Sequence, residues 1–106
     1  LDSTTAFTCG YNGGIYKTNN AGLTWEEVLK KNKSFKNRIH FNAIYLNTDK
    51  QGFAVGNDGI VYKTINGNTW QEAVITEKTN LLSITSDKQS HVIISTANGK
   101  LIKIKM

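Results

Sequence analysis

The run Gly56-Asn57-Asp58-Gly59-Ile60-Val61-Tyr62-Lys63-Thr64 brings two glycines, a lysine and a threonine close together, as an anion cradle would. A phosphate loop, however, places Gly-Lys-Ser/Thr at the start of a helix, where backbone amides and the helix dipole converge on one anion. Here Tyr62 precedes the Lys-Thr pair, the flanking residues alternate as in a strand, and no helical pattern follows. Residues 10–18 repeat the arrangement, which a single nucleotide site would not require. The phosphate reading is set aside.

Other chemistry is equally thin. A glycosidase of the paired-carboxylate kind needs two acids facing each other across a cleft. The acids are Asp2, Glu26, Glu27, Asp49, Asp58, Glu72, Glu77 and Asp87, and nothing in their spacing makes partners of any two. Cys9 is the single cysteine, so there is no internal disulfide and no metal site of the cysteine-pair type. As a nucleophile Cys9 would need a histidine, and His40 and His91 are both distant in sequence and outside any motif. In the run Ala6-Phe7-Thr8-Cys9 it reads as a small buried hydrophobe. The expectation is a protein that is not an enzyme, with no catalytic residues, no cofactor and no metal.

The charge of +5 comes almost wholly from lysine, Arg38 being the one arginine. Recognition of phosphates and base edges favours the planar arginine fork, so nucleic acid is not an expected partner. No apolar run approaches the roughly 20 residues of a membrane span. The chain starts at Leu1 rather than Met, which suggests a removed leader or a piece of a longer protein.

What positions these residues is a repeat. Gly10, Gly13, Tyr16, Lys17 and Thr18 align with Gly56, Gly59, Tyr62, Lys63 and Thr64 at a spacing of about 46 residues, a period in the range of propeller blades. The copies continue through Trp25 and Trp70, the second one residue shorter. Asn98-Gly99-Lys100-Leu101-Ile102-Lys103 begins a third, weaker copy. In the middle copy, residues 42–46, 53–55, 60–64 and 69–75 read as four strands, with the Asn57-Asp58-Gly59 turn as a hairpin signal. The first copy lacks its first strand and the third its last. The predicted fold is all-β: antiparallel four-stranded meander blades of a partial β-propeller, about two and a half of them. They lie in one segment over residues 1–106, with blade parts at 4–29, 41–75 and 81–105.

Thr18-x-Asn20-x-Gly22-x-Thr24-Trp25 resembles the Asp-box, or bacterial neuraminidase repeat, Ser/Thr-x-Asp-x-Gly-x-Thr-Trp. With the preceding Gly-x-x-Gly-x-Ile-x-Lys-Thr, the chain is similar over nearly its whole length to the propellers of the photosystem II assembly and stability factor family. It departs from the box pattern in having asparagine for aspartate twice and in the shortened second copy. The box residues are read as structural: Thr18, Asn20, Gly22 and Trp25 in the first turn, Thr64, Asn66, Gly67 and Trp70 in the second. The threonine and asparagine side chains would bond the turn's own backbone, Gly22 would be left-handed, and both tryptophans would pack at the outer strand. A sugar-stacking platform is the other reading of the tryptophans. Sialidases with such boxes hold their substrate carboxylate with an arginine cluster and use a tyrosine nucleophile; one arginine cannot form that cluster.

Alternate turns of a meander emerge on opposite faces, so the hairpins at Asn12-Gly13, Asp58-Gly59 and Asn98-Gly99 would share a face with the connections between blades. Gly13 and Gly59 are expected at positive φ. The connection over residues 30–40 carries Lys30, Lys31, Lys33, Lys36 and Arg38 around Phe35. It reads as a solvated loop pinned by Phe35, or as a dock for an anionic partner. With Tyr11, Asn12 and Asp58 these residues form the candidate binding set. The expected function is a noncatalytic scaffold or protein-interaction module of a longer extracellular or cell-envelope protein. The alternative is an accessory glycan-binding segment of a secreted, sialidase-like carbohydrate-active protein. Because propellers close with at least four blades, the ring is expected to be completed by more sequence or by a homo-oligomer.

Overall fold

A computed structural model describes residues 4–10, 13–30, 40–87 and 90–106. Among them are ten strands and a single short 3-10 turn, Asn57–Gly59. No described helix is long and apolar enough to cross a membrane. The strands form three antiparallel sheets in sequence order. The first holds β1 (Ala6–Cys9), β2 (Ile15–Thr18) and β3 (Glu26–Leu29). The second holds β4 (Phe41–Leu46), β5 (Gly52–Gly56), β6 (Val61–Thr64) and β7 (Trp70–Glu72). The third holds β8 (Leu81–Ser86), β9 (His91–Thr96) and β10 (Leu101–Lys105). Three, four and three strands are the two and a half blades that the repeat implies.

Burial explains the sequence pattern of each strand. The second sheet lies between the other two, so β5, Gly-Phe-Ala-Val-Gly, is buried at every position. Such a strand reads as an uninterrupted apolar run. On one face Ala54 and Trp70 pack with Ile15 and Phe41, and Phe7, Cys9 and Tyr62 border that cluster. On the other Phe53, Val55 and Val61 pack with Leu81, Val92 and Ile94. The β10 strand, Leu-Ile-Lys-Ile-Lys, has one covered face and alternates instead.

The strand bounds differ from the expected ones by a residue or two at β4, β5 and β6, and by more at β7. The fourth strand of the middle sheet is Trp70–Glu72 rather than residues 69–75, although the Ala73 amide still reaches the Val61 carbonyl at 2.8 Å. The β4 strand begins at Phe41, one residue early, because its register shifts between Phe41 and Ala43. At that bulge the Asn42 side-chain Nδ2 donates to the Leu81 carbonyl of the third sheet, at 2.8 Å. Cys9 is only half-buried, at the margin of its cluster.

Candidate functional site

Two constellations gather the residues that the sequence singles out: the turns that carry the tryptophans, and the hairpins at the opposite ends of the strands. In the first turn the Thr18 hydroxyl donates to Asn20 Oδ1 at 2.8 Å and accepts from the amides of Asn20 and Gly22 at 3.3 and 3.0 Å. Asn20 Oδ1 accepts the Thr24 amide at 2.9 Å, and Asn20 Nδ2 donates to the Thr24 hydroxyl at 2.7 Å. In the second turn the Thr64 hydroxyl accepts from Asn66 and Gly67 at 3.3 and 2.8 Å and donates to the Thr69 carbonyl at 2.8 Å. Asn66 Oδ1 takes both the Asn68 and Thr69 amides at 2.9 Å. Each turn thus satisfies with side chains the backbone amides that no neighbouring strand can reach. Thr18 and Thr64 are each 2% exposed, so a lost partner there is a buried one.

The two tryptophans have different environments. Trp70 is buried, donates from Nε1 to the Gly67 carbonyl at 3.3 Å, and meets the Phe7 ring of the first sheet edge-on at 6.5 Å. Trp25 precedes β3 and is 47% exposed, beside Thr4, Thr5, Ala6 and Gly22. The reason is positional: Trp70 has a sheet in front of it, whereas no described sheet faces Trp25. The packing role expected of both tryptophans is filled by Trp70 alone. Gly22 and Gly67 are left-handed, with φ of 90° and 80°. At Gly67 a Cβ would press on the Phe7 ring at 2.9 Å, so the second turn also needs glycine for close approach.

Sequence reasoning did not foresee the clasp between these sheets. Lys17 is 6% exposed; its Nζ donates to Asn68 Oδ1 at 3.1 Å and lies 5.8 Å from the centre of the Phe7 ring. The signal was Lys17 opposite Phe7 and, in the next copy, Lys63 opposite Phe53.

At the opposite ends of the strands the hairpins of the second and third sheets converge on residues 76–80. Asp58 is exposed, its backbone left-handed at φ 59°, and its amide donates to Asn80 Oδ1 at 3.0 Å. The Ala97 amide donates to the Asn80 carbonyl at 2.8 Å, and Asn98 Nδ2 and Lys100 Nζ reach the Glu77 carboxylate at 3.4 and 3.5 Å. The Gly10 carbonyl accepts the Phe41 amide at 3.2 Å and the Asn57 amide donates to the His40 carbonyl at 3.0 Å, so both contacts fall at the start of β4. Gly13 and Gly59 have φ of 81° and 75°. Thr96, whose hydroxyl accepts the Lys100 amide at 2.9 Å, was missed as a turn residue. Its Thr-x-Asn-Gly pattern, shared with residues 64–67, was the clue.

Of the candidate binding residues, Asp58 and Lys30 are described and exposed. Tyr11, Asn12, Lys31, Lys33, Phe35, Lys36 and Arg38 lie outside the described residues. The described acids are spread over β3, β7, turns and the 76–80 connection. Burial pushes the Cys9 thiol up to about 11, which keeps it a thiol at neutral pH. Burial and the Glu72 carboxylate raise the Tyr62 phenol. Among the described residues, no three of the His, Cys, Asp and Glu side chains are grouped so as to hold a metal.

No protein-family model matches the chain, and no curated protein matches it. Among solved structures it is similar to one described as YCF48 bound to D1 peptide, with a TM-score of 0.80 at 20% identity. The match covers 98% of this chain and 35% of that one, so this chain spans about a third of that structure's length. At that identity the likeness is one of fold, and it agrees with three sheets packed face to face in chain order. The fold of this chain is that of a β-propeller, of which it contributes about two and a half blades.

Proposed function

We propose that the chain is a noncatalytic β-propeller module that binds a segment of another protein, within a longer exported or cell-envelope protein. The observation that carries the reading is the fold-level match, over 98% of the chain, to a propeller described with a bound peptide. The built face of hairpins around Asn80 and Glu77 supports it, since it presents exposed polar groups on a fixed backbone. Panning a displayed peptide library against the protein tests it. Convergent sequences are expected; a failure to enrich any motif, together with binding to saccharides, overturns it.

A second reading is favoured by one observation, the exposure of Trp25 at a face that no described sheet covers. An accessory glycan-binding segment would stack a sugar on that indole. A glycan array separates the two: saccharide binding lost in Trp25→Ala supports the second reading. Among the described residues no sheet covers the outer faces of the first and third sheets, which also favours completion of the ring by further blades, from the same chain or from a second copy. Light scattering distinguishes these, a second copy doubling the mass.

A further inference from the structure

Asparagine is followed by glycine at Asn12-Gly13, Asn66-Gly67 and Asn98-Gly99. Asparagine is a thermolabile side chain, and a glycine after it leaves the next backbone nitrogen unshielded. That nitrogen can attack the asparagine Cγ. The new N–Cγ bond closes a succinimide ring, and Nδ2 leaves as ammonia with the proton of the backbone amide. Water then opens the ring at either carbonyl, giving aspartate or isoaspartate. The reaction consumes water and no other reagent.

The two described pairs are held differently. Gly67 is buried, and its amide donates to the buried Thr64 hydroxyl at 2.8 Å. Asn66 Oδ1 accepts the Asn68 and Thr69 amides at 2.9 Å, so the attacking nitrogen and the carboxamide are both tied. A Cβ on Gly67 would meet the Phe7 ring at 2.9 Å, which leaves the turn little room to rotate. Asn98 and Gly99 are both exposed. The Gly99 amide donates to the Thr96 carbonyl at the longer distance of 3.2 Å, and a Cβ there would meet nothing within 4 Å. Asn98 Oδ1 accepts the Thr96 hydroxyl, and Nδ2 reaches the Glu77 carboxylate at 3.4 Å.

We propose that Asn98-Gly99 is a site of spontaneous deamidation, and that the fold protects Asn66-Gly67 from the same reaction. The change at position 98 falls on the face of hairpins around Asn80 and Glu77. Aspartate replaces a donor to Glu77 with a second negative charge, and Lys100 is left to serve both. Isoaspartate lengthens the backbone of the hairpin between β9 and β10 by one methylene. Either product loosens this hairpin from the 76–80 connection, which it grips through the Ala97 amide on the Asn80 carbonyl at 2.8 Å. The face thus carries a slow, one-way change in charge and shape, whatever partner it binds.

The test is peptide mapping by mass spectrometry of the native protein aged in warm, mildly alkaline buffer, with the urea-unfolded chain aged beside it. In the unfolded chain positions 66 and 98 should react at similar rates. In the native protein position 98 should react at least about tenfold faster than position 66, because Gly67 is freed only when a buried turn opens. Enzymatic methylation of isoaspartate identifies the branched product. Equal rates in the native protein, faster reaction at 66, or no product at 98 while the unfolded chain reacts overturns the site. Asn12 lies outside the described residues, and its rate decides nothing. The structural consequence is read by hydrogen exchange in Asn98→Asp, where the Ala97 amide should exchange faster than in the wild type. Unchanged protection of that amide overturns the loosening of the hairpin.

Discussion

Lys17 and Asn68 are 51 residues apart in sequence and 3.1 Å apart in space, and their hydrogen bond joins two sheets. Because Lys17 is 6% exposed, its ammonium has little access to water if Asn68 is removed. Asn68→Ala should therefore cost about 1–3 kcal/mol, the range for stranding a buried polar group. Lys17→Met keeps the stem and removes the charge, so it should cost less than Asn68→Ala. Urea unfolding of both single variants and the double variant gives the coupling energy directly.

Trp70→Ala opens a cavity beside Phe7 and should cost about 3–5 kcal/mol. Trp25→Ala removes a side chain that is 47% exposed and should cost less than about 1 kcal/mol. Acrylamide quenching of each single-tryptophan variant provides an independent check: the variant retaining Trp25 should be quenched much the more efficiently.

Asn66 Oδ1 accepts two backbone amides, and an aspartate there would accept both with a charge. Asn66→Asp should therefore be neutral or stabilising near pH 7, and Asn66→Ala should cost about 1–2 kcal/mol. At Asn20 the amide nitrogen also donates to Thr24, so Asn20→Asp sacrifices a bond that Asn66→Asp does not. Thermal unfolding of the three variants orders them.

Gly59 and Gly99 are both left-handed, at φ 75° and 84°. A Cβ on Gly99 would meet open space, whereas on Gly59 it would fall on the Glu77 carbonyl oxygen. Gly99→Ala then measures the backbone term alone, about 1 kcal/mol. Gly59→Ala should cost about 3 kcal/mol or more, because the 76–80 connection must move as well. Chemical denaturation of the pair isolates the docking of that hairpin.

Cys9 tests the first inter-sheet cluster through pH. Its thiol is pushed from 9.0 up to about 11 by burial, with a backbone hydrogen bond acting in the opposite sense. The folded state therefore holds the proton more tightly than the unfolded chain. Its contribution is complete below pH 9 and is lost as pH rises toward 11. Stability of the wild type should fall over that window more than that of Cys9→Ala. At pH 8 a thiol reagent should modify the native protein far more slowly than the urea-unfolded chain.

The sheets were legible because Gly10, Tyr16, Lys17, Thr18 and Trp25 recur in order, and a repeated pattern constrains register better than propensity does. The threonines and asparagines of the turns were legible for the same reason, since their bonds are local. What sequence could not convey was the contact between copies. Trp25 and Trp70 look alike in the chain, and only the presence or absence of a facing sheet makes one buried and the other exposed. Lys17 likewise reads as a surface charge until Asn68 covers it. The binding residues of the 30–40 connection mostly lie outside the described structure, so their role rests on charge alone.

The both-sided burial of β5 has a kinetic consequence. An opening fluctuation can peel away the first or third sheet at the expense of one interface, but exposing β5 requires the loss of both. Deuterium uptake should therefore advance from the flanks toward the middle, with Ala54 and Val55 among the last amides to exchange. The molecule behaves as a short stack whose endurance is set at its centre.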